Sequence, residues 1–146
     1  MIPRPVRNNN PGDLQAGAPW AGLMPTERLT PLQQHERFAV FETPEWGFRA
    51  LCIVLRNYQR LHGANNVAEI IGRFAPPEEN NTAAYIAEVA GAMNVAATQA
   101  LDLGDPARLF ALAKAITREE TGSWEPYWQD AQLQSGIAMA GEQEIA

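Results

Sequence analysis

Apolar positions change their rhythm near residue 43. Before it, Pro3, Pro5, Pro11, Pro19, Pro25 and Pro31 interrupt every stretch in which a long helix could form. Proline lacks the backbone donor and clashes with the preceding turn, so residues 1–37 read as irregular. Phe38-Ala39-Val40-Phe41 is short, apolar and flanked by polar residues. That is the pattern of a strand, paired as a hairpin with part of 14–30. From residue 43 onward apolar side chains recur at helical spacing. Thr43 as cap, Pro44 at the first position and Glu45 in the first turn open a helix running to about Leu61 and ending near Gly63. Its apolar set (Phe48, Leu51, Cys52, Val54, Leu55, Tyr58, Leu61) covers a wide face, which makes it the central buried helix.

Asn66-Val67-Ala68-Glu69 has the form of a capping box and opens a short helix to about Phe74, ended by Pro76-Pro77. A further helix over 82–93 carries Tyr85, Ile86, Val89 and Met93. Asn94 is expected to cap another short helix, to about Leu103. The Asp105–Gly122 helix follows, then an aromatic turn, Ser123-Trp124-Glu125-Pro126-Tyr127-Trp128, and a last helix over about 127–139. The prediction is a single compact domain over 1–146, mainly α and α+β at most. It has about six helices and a small or absent β-hairpin. Residues 1–42 form an irregular or small-sheet lobe, 43–140 a helical lobe, and 141–146 a frayed acidic tail. No internal repeat or heptad pattern is visible.

The Asp105–Gly122 helix holds the first chemical anomaly. Asp105 can accept from free backbone N–H groups, Pro106 suits the first position, and Gly122 can take the left-handed conformation that stops a helix. At about 100° per residue, Leu109, Leu112, Ala113 and Ile116 share one face. Glu120 falls near the middle of that face and Glu119 at its edge. The plain reading is a solvated carboxylate in the last turn, opposed by the helix dipole. The sharper reading is a partly buried acid whose pKa is raised by desolvation and by that dipole, as a proton donor to a glycosidic oxygen requires.

Arg7-Asn8-Asn9-Asn10-Pro11-Gly12-Asp13 is a dense turn sequence. As an ordinary surface loop it needs no further role. As a compact set of amide donors and acceptors it suits sugar hydroxyls and N-acetyl groups. Trp20 is open to two readings: an exposed ring that stacks on a sugar, or a core residue.

Composition narrows the classes. Apolar residues make up 46% of the chain, so it is not a disordered protein. A formal charge of −6 argues against a nucleic-acid binder held by phosphates. The lone Cys52 sits in an apolar run and reads as a buried thiol. With His35 and His62 the only histidines, a zinc site or Ser-His-Asp triad has little to draw on, and no metal or cofactor is expected. The first seven residues lack the apolar stretch of a signal peptide, and no run reaches membrane-spanning length. The expectation is synthesis in the host cytoplasm without a signal peptide. Transfer elsewhere would then follow by secretion apparatus, cell lysis or packaging in a virus particle.

Arg7–Asp13, Trp20-Ala21-Gly22, Phe38–Ala50 and Gly72–Tyr85 together resemble a family of small virion proteins of tailed bacteriophages and prophages, marked by an Arg-Asn-Asn-Asn-Pro-Gly motif. Some members degrade peptidoglycan. The resemblance covers the chain to about Ile137. Ala115-Ile116-Thr117-Arg118-Glu119-Glu120-Thr121-Gly122, with Pro126-Tyr127 beyond, is similar to the segment carrying the catalytic glutamate of lysozyme-like lytic transglycosylases. Thr43-Pro44-Glu45 and its helix also resemble bacterial glucosaminidases of the lysozyme superfamily.

These resemblances imply a lysozyme-like frame with its elements permuted, so that residues 7–42 face Glu120. They imply a peptidoglycan glycosidase with Glu120 as acid and then base; Glu119, Glu42 and Glu45 are the alternates, the last two as a second carboxylate. Arg7, Asn8, Asn9, Asn10, Trp20, Trp124 and Tyr127 would hold the sugar. The implied partners are peptidoglycan glycan strands and other virion proteins, and the implied location is the virion, or a phage lysin acting on the cell wall. The rival expectation is a non-catalytic structural or sugar-binding virion protein, in which Glu120 pairs with Arg7, Arg49 or Arg73.

Overall fold

The structure, a computed structural model, describes residues 1–141. Its centre is the helix α3 (Pro44–His62), where the sequence expects it. The Thr43 side chain accepts from the Trp46 N–H, and Gly63 closes the other end. Phe48, Leu51, Cys52 and Leu55 are fully buried. Burial pushes the Cys52 thiol up to about 12, which keeps it inert at neutral pH. Leu61, counted in the apolar set, is instead 71% exposed, because the last turn of α3 runs past the core.

α4 (Val67–Phe74), α6 (Pro106–Thr121) and α7 (Asp130–Gly141) pack against α3, and α5 (Thr82–Met93) packs on α4 and α6. Asn66 caps α4 and Asn81 caps α5 through their side-chain oxygens. On α6, Asp105 accepts from the Ala107 N–H, and Leu109, Leu112, Ala113 and Ile116 are all fully buried. Gly122 ends α6 at φ 97°, in the left-handed region. α7 begins three residues later than the pattern suggests. Trp128 belongs to the preceding turn, where its indole N–H donates to the Thr121 hydroxyl at 3.1 Å. Residues 142–146 of the expected tail lie outside the described residues.

Two expectations fail in the connections. No helix forms between Asn94 and Leu103. Asn94 takes a left-handed conformation (φ 57°) that closes α5 instead of capping a new helix. The segment after it is held by α3: Gln59 donates to the Leu101 carbonyl and accepts from the Leu103 N–H, and Arg56 donates to the Leu103 carbonyl. Those side chains satisfy backbone groups that a helix would have satisfied internally.

The amino-terminal part is also more regular than expected. It contains α1 (Arg4–Arg7) and α2 (Pro31–Glu36), the latter opened by a capping box between Thr30 and Gln33. Among the described residues the fold therefore has seven α-helices, one short 3₁₀ helix (Thr26–Arg28) and only isolated β-bridges. The stretch 38–41 pairs with two segments. Ala39 N–H donates to the Leu14 carbonyl on one side, and Met24 N–H donates to the Val40 carbonyl on the other. Among the described residues no helix is long and apolar enough to cross a membrane.

α7 crosses α3 at Gly136. A methyl group there would lie 2.5 Å from Phe48 Cβ and 2.9 Å from the Arg49 backbone nitrogen. Gly136→Ala is expected to lower stability by about 2 kcal/mol, because overpacking against backbone outweighs a gain of about 1 kcal/mol in helix propensity. Denaturant titration checks this; an unchanged midpoint would mean the two helices can part without cost.

Candidate functional site

A cleft of about 450 Å³ opens where the amino-terminal segment meets the helices. Arg4, Gly12, Asp13, Leu14, Gln15 and Phe38 line it from that segment. Tyr58 of α3, Phe74 at the end of α4, Ala75, Pro76, Glu79 and Asn80 beyond it, and Glu120 from the last turn of α6 complete it.

Glu120 is half-buried, and its Oε2 accepts a 2.6 Å hydrogen bond from the Tyr85 hydroxyl. Burial is the largest influence on its acidity and pushes it up to about 6. The Tyr85 hydrogen bond works against that shift. The charge on Asp13 adds to it, Arg4 opposes it, and Glu119 adds to it. The last-turn carbonyls of α6 act in the same direction as burial. Tyr85 responds in kind: burial and the neighbouring carboxylate push its hydroxyl far up, so it remains a donor.

Asp13 sits in a left-handed conformation (φ 50°). Arg4 grips it with a fork, Nε to Oδ1 at 3.0 Å and Nη2 to Oδ2 at 2.7 Å. The Arg4 guanidinium carbon lies 3.7 Å from the centre of the Phe38 ring. The Arg4 pKa is raised chiefly by the hydrogen bond to Asp13.

The asparagine motif does different work from that expected. Asn8 and Asn10 are fully buried. Asn10 donates to the carbonyls of Leu14 and Ala39, both at 2.9 Å, and accepts from the Leu14 N–H. Asn9 donates to the Phe41 carbonyl, and Asn8 accepts from Gln33. The three side chains are thus bonded to the protein itself and do not line the cleft, although the buried Asn8 Nδ2 has no hydrogen-bond partner among the described residues. Gly47 lets the loop approach α3: a Cβ there would collide with the Asn9 carbonyl oxygen and the Pro11 ring. The motif is a brace for the wall that carries Asp13.

Arg7 is forked to Glu36 at 2.7 and 2.8 Å, outside the cleft lining. Trp20 is half-buried and packs on the Ala39, Phe41 and Ala50 cluster. Trp124 is buried, its ring 5.8 Å from Phe48 between centroids, so it offers no stacking face to the cleft. Tyr127 is exposed but lies away from the cleft lining. Glu42 pairs with Arg28 on the surface, and Glu45 stays in the first turn of α3; neither lines the cleft. Glu119 is exposed. The partner of Glu120 is Tyr85 rather than Arg7, Arg49 or Arg73.

Tyr85, Asp13 and Arg4 do not stand out in the sequence. Tyr85 lies within an apolar helical set, although a buried tyrosine hydroxyl needs an acceptor, and that requirement was the available signal. Asp13 is hidden by a turn motif that already explains an aspartate there.

No protein-family model matches the chain. It is similar to protein P5 of Pseudoalteromonas phage PM2, at 36% identity over 132 residues, covering 87% of this chain and 76% of that protein. The chain belongs to the family of that phage protein.

Proposed function

We propose that this protein is a phage virion-associated peptidoglycan glycosidase, of the lytic transglycosylase or muramidase kind. Glu120 cleaves the glycan strand as general acid and then as base. The observation that carries this reading is a half-buried carboxyl, pushed up to about 6, that lines a polar cleft. One carboxyl oxygen is oriented by Tyr85. The other is free to carry the proton toward a glycosidic oxygen. After the bond breaks, the resulting carboxylate can take a proton from the incoming hydroxyl. Asn80 and Gln15 supply amides for sugar hydroxyls, and Tyr58 and Phe38 supply ring faces.

The meeting of the amino-terminal segment with the end of α6 supports a lysozyme-like frame with permuted order. Membership of a phage protein family supports a cell-wall substrate, since a phage must breach that wall, and supports a place among other virion proteins.

One observation favours the rival, a structural or sugar-binding virion protein: the Tyr85 hydrogen bond alone is enough to satisfy a buried carboxyl. Glu120→Gln separates the two. It is expected to reduce turbidity loss on purified peptidoglycan at least about 100-fold. Equal clearing by both proteins would leave only the non-catalytic reading. For the wild-type protein, activity should fall as pH rises through about 6, where Glu120 loses its proton.

The same proton affects stability. The folded chain holds it more tightly than the unfolded chain does, so this stabilising contribution is present at low pH and is lost as pH rises through about 6. Glu120→Gln should therefore be more stable than wild type at pH 7 by roughly 2 kcal/mol, and no more stable near pH 4. Thermal melts at the two pH values check this. Tyr85→Phe removes the influence that holds Glu120 down, so the carboxyl observed by NMR should titrate above its wild-type value.

A further inference from the structure

We propose that Asp13, the cleft carboxylate clamped by Arg4, stabilises the positive charge that develops on the sugar ring as Glu120 protonates the leaving oxygen. The inference rests on the glycosidase reading of Glu120. Glu42 and Glu45, the carboxylates that sequence suggests for this role, lie outside the cleft; Asp13 lines it together with Glu120.

Three features separate Asp13 from an ordinary surface ion pair. Its side chain is only 10% exposed, yet it borders an open cleft. It is held by a two-point fork whose guanidinium is itself seated on Phe38, so the carboxylate has a fixed position. Its backbone, like that of Asn9, has positive φ, a conformation that costs a non-glycine residue energy. The buried Asn10 amide holds the loop in that shape by bonding Leu14 and Ala39.

Three carboxyl groups, Asp13, Glu79 and Glu120, line the cleft, and Glu120 and Asp13 have opposed hydrogen-bond partners. Glu120 has a neutral hydroxyl as its hydrogen-bond partner and is partly desolvated; Asp13 has a cation. Such a pair can divide its roles, one carboxyl giving a proton and the other facing a developing cation. In the step proposed, the bond from the anomeric carbon to the leaving oxygen breaks, and its electron pair stays with that oxygen. The Glu120 proton goes to the same oxygen. The ring oxygen shares a lone pair with the anomeric carbon, and Asp13 faces the resulting cation. An incoming hydroxyl then bonds to that carbon and gives its proton to the Glu120 carboxylate. Asp13 begins and ends as an anion.

The test is Asp13→Asn on purified peptidoglycan, with wild type and Glu120→Gln alongside. Asparagine tolerates the left-handed backbone at this position. The expected result is a fall in kcat of about 100-fold or more, with KM and thermal midpoint close to wild type. The pH limb set by Glu120 should also move to lower pH, because a negative neighbour has been removed. A merely structural pair would leave kcat unchanged in folded protein, whereas the limb moves in either case. If Asp13→Asn does not fold, Asp13→Glu decides: it keeps the charge, displaces it by one methylene, and should lower kcat with KM little changed. Wild-type kcat in the folded variant, with Glu120→Gln inactive, overturns the role of Asp13 alone. An inactive wild type, or a fully active Glu120→Gln, overturns the glycosidase reading and this inference with it.

Discussion

The structure depends on one buried amide. Asn10 is inaccessible to solvent and ties the turn after it to the stretch 38–41. Removing such an amide would leave backbone groups of Leu14 and Ala39 short of partners in a place water does not reach, at a cost of about 1–3 kcal/mol for each group stranded. Through this junction the amino-terminal segment becomes a wall instead of a loose arm. Gly47 allows the wall to lie against the first turns of α3, and Leu14 and Phe38 then border a cleft whose other residues come from far along the chain.

The wall gives Glu120 its setting. A carboxyl in the last turn of an exposed helix would ionise freely and carry no chemical suggestion. Here Tyr85 approaches from α5 and Asp13 and Arg4 from the amino-terminal segment, while α6 supplies the partly buried backbone beneath. Burial favours the neutral acid, and the tyrosine bond favours the anion. The first is the stronger, so the group is poised near neutrality rather than locked in either state. The amino-terminal polar residues and the carboxy-terminal acid therefore have to be understood together.

Much of the helical frame was legible in the sequence, because cap residues and apolar spacing agree in α3, α4, α5 and α6. Glu120 was legible for the same reason: a carboxylate on an otherwise fully buried face breaks the pattern. The asparagine run was recognised as special but for the wrong chemistry, since amides suited to sugars are equally suited to backbone, and only tertiary packing decides between them. Trp124 was misjudged in the same way, as an aromatic turn can fold into the core or present itself to a ligand. The segment after Asn94 was misread because its hydrogen-bond partners, Gln59 and Arg56, are some forty residues earlier in the chain. Local propensity has no access to partners at that distance.

The braced loop has a consequence for when the protein can act. Arg4 and Asp13 stand near one terminus and Glu120 near the other, yet they border a single opening. During synthesis the residue that carries the acid emerges last, and until it docks there is no enclosed space at all. Clipping the first dozen residues would remove Arg4 and the Asn10 brace, and with them what fixes Asp13 at the cleft.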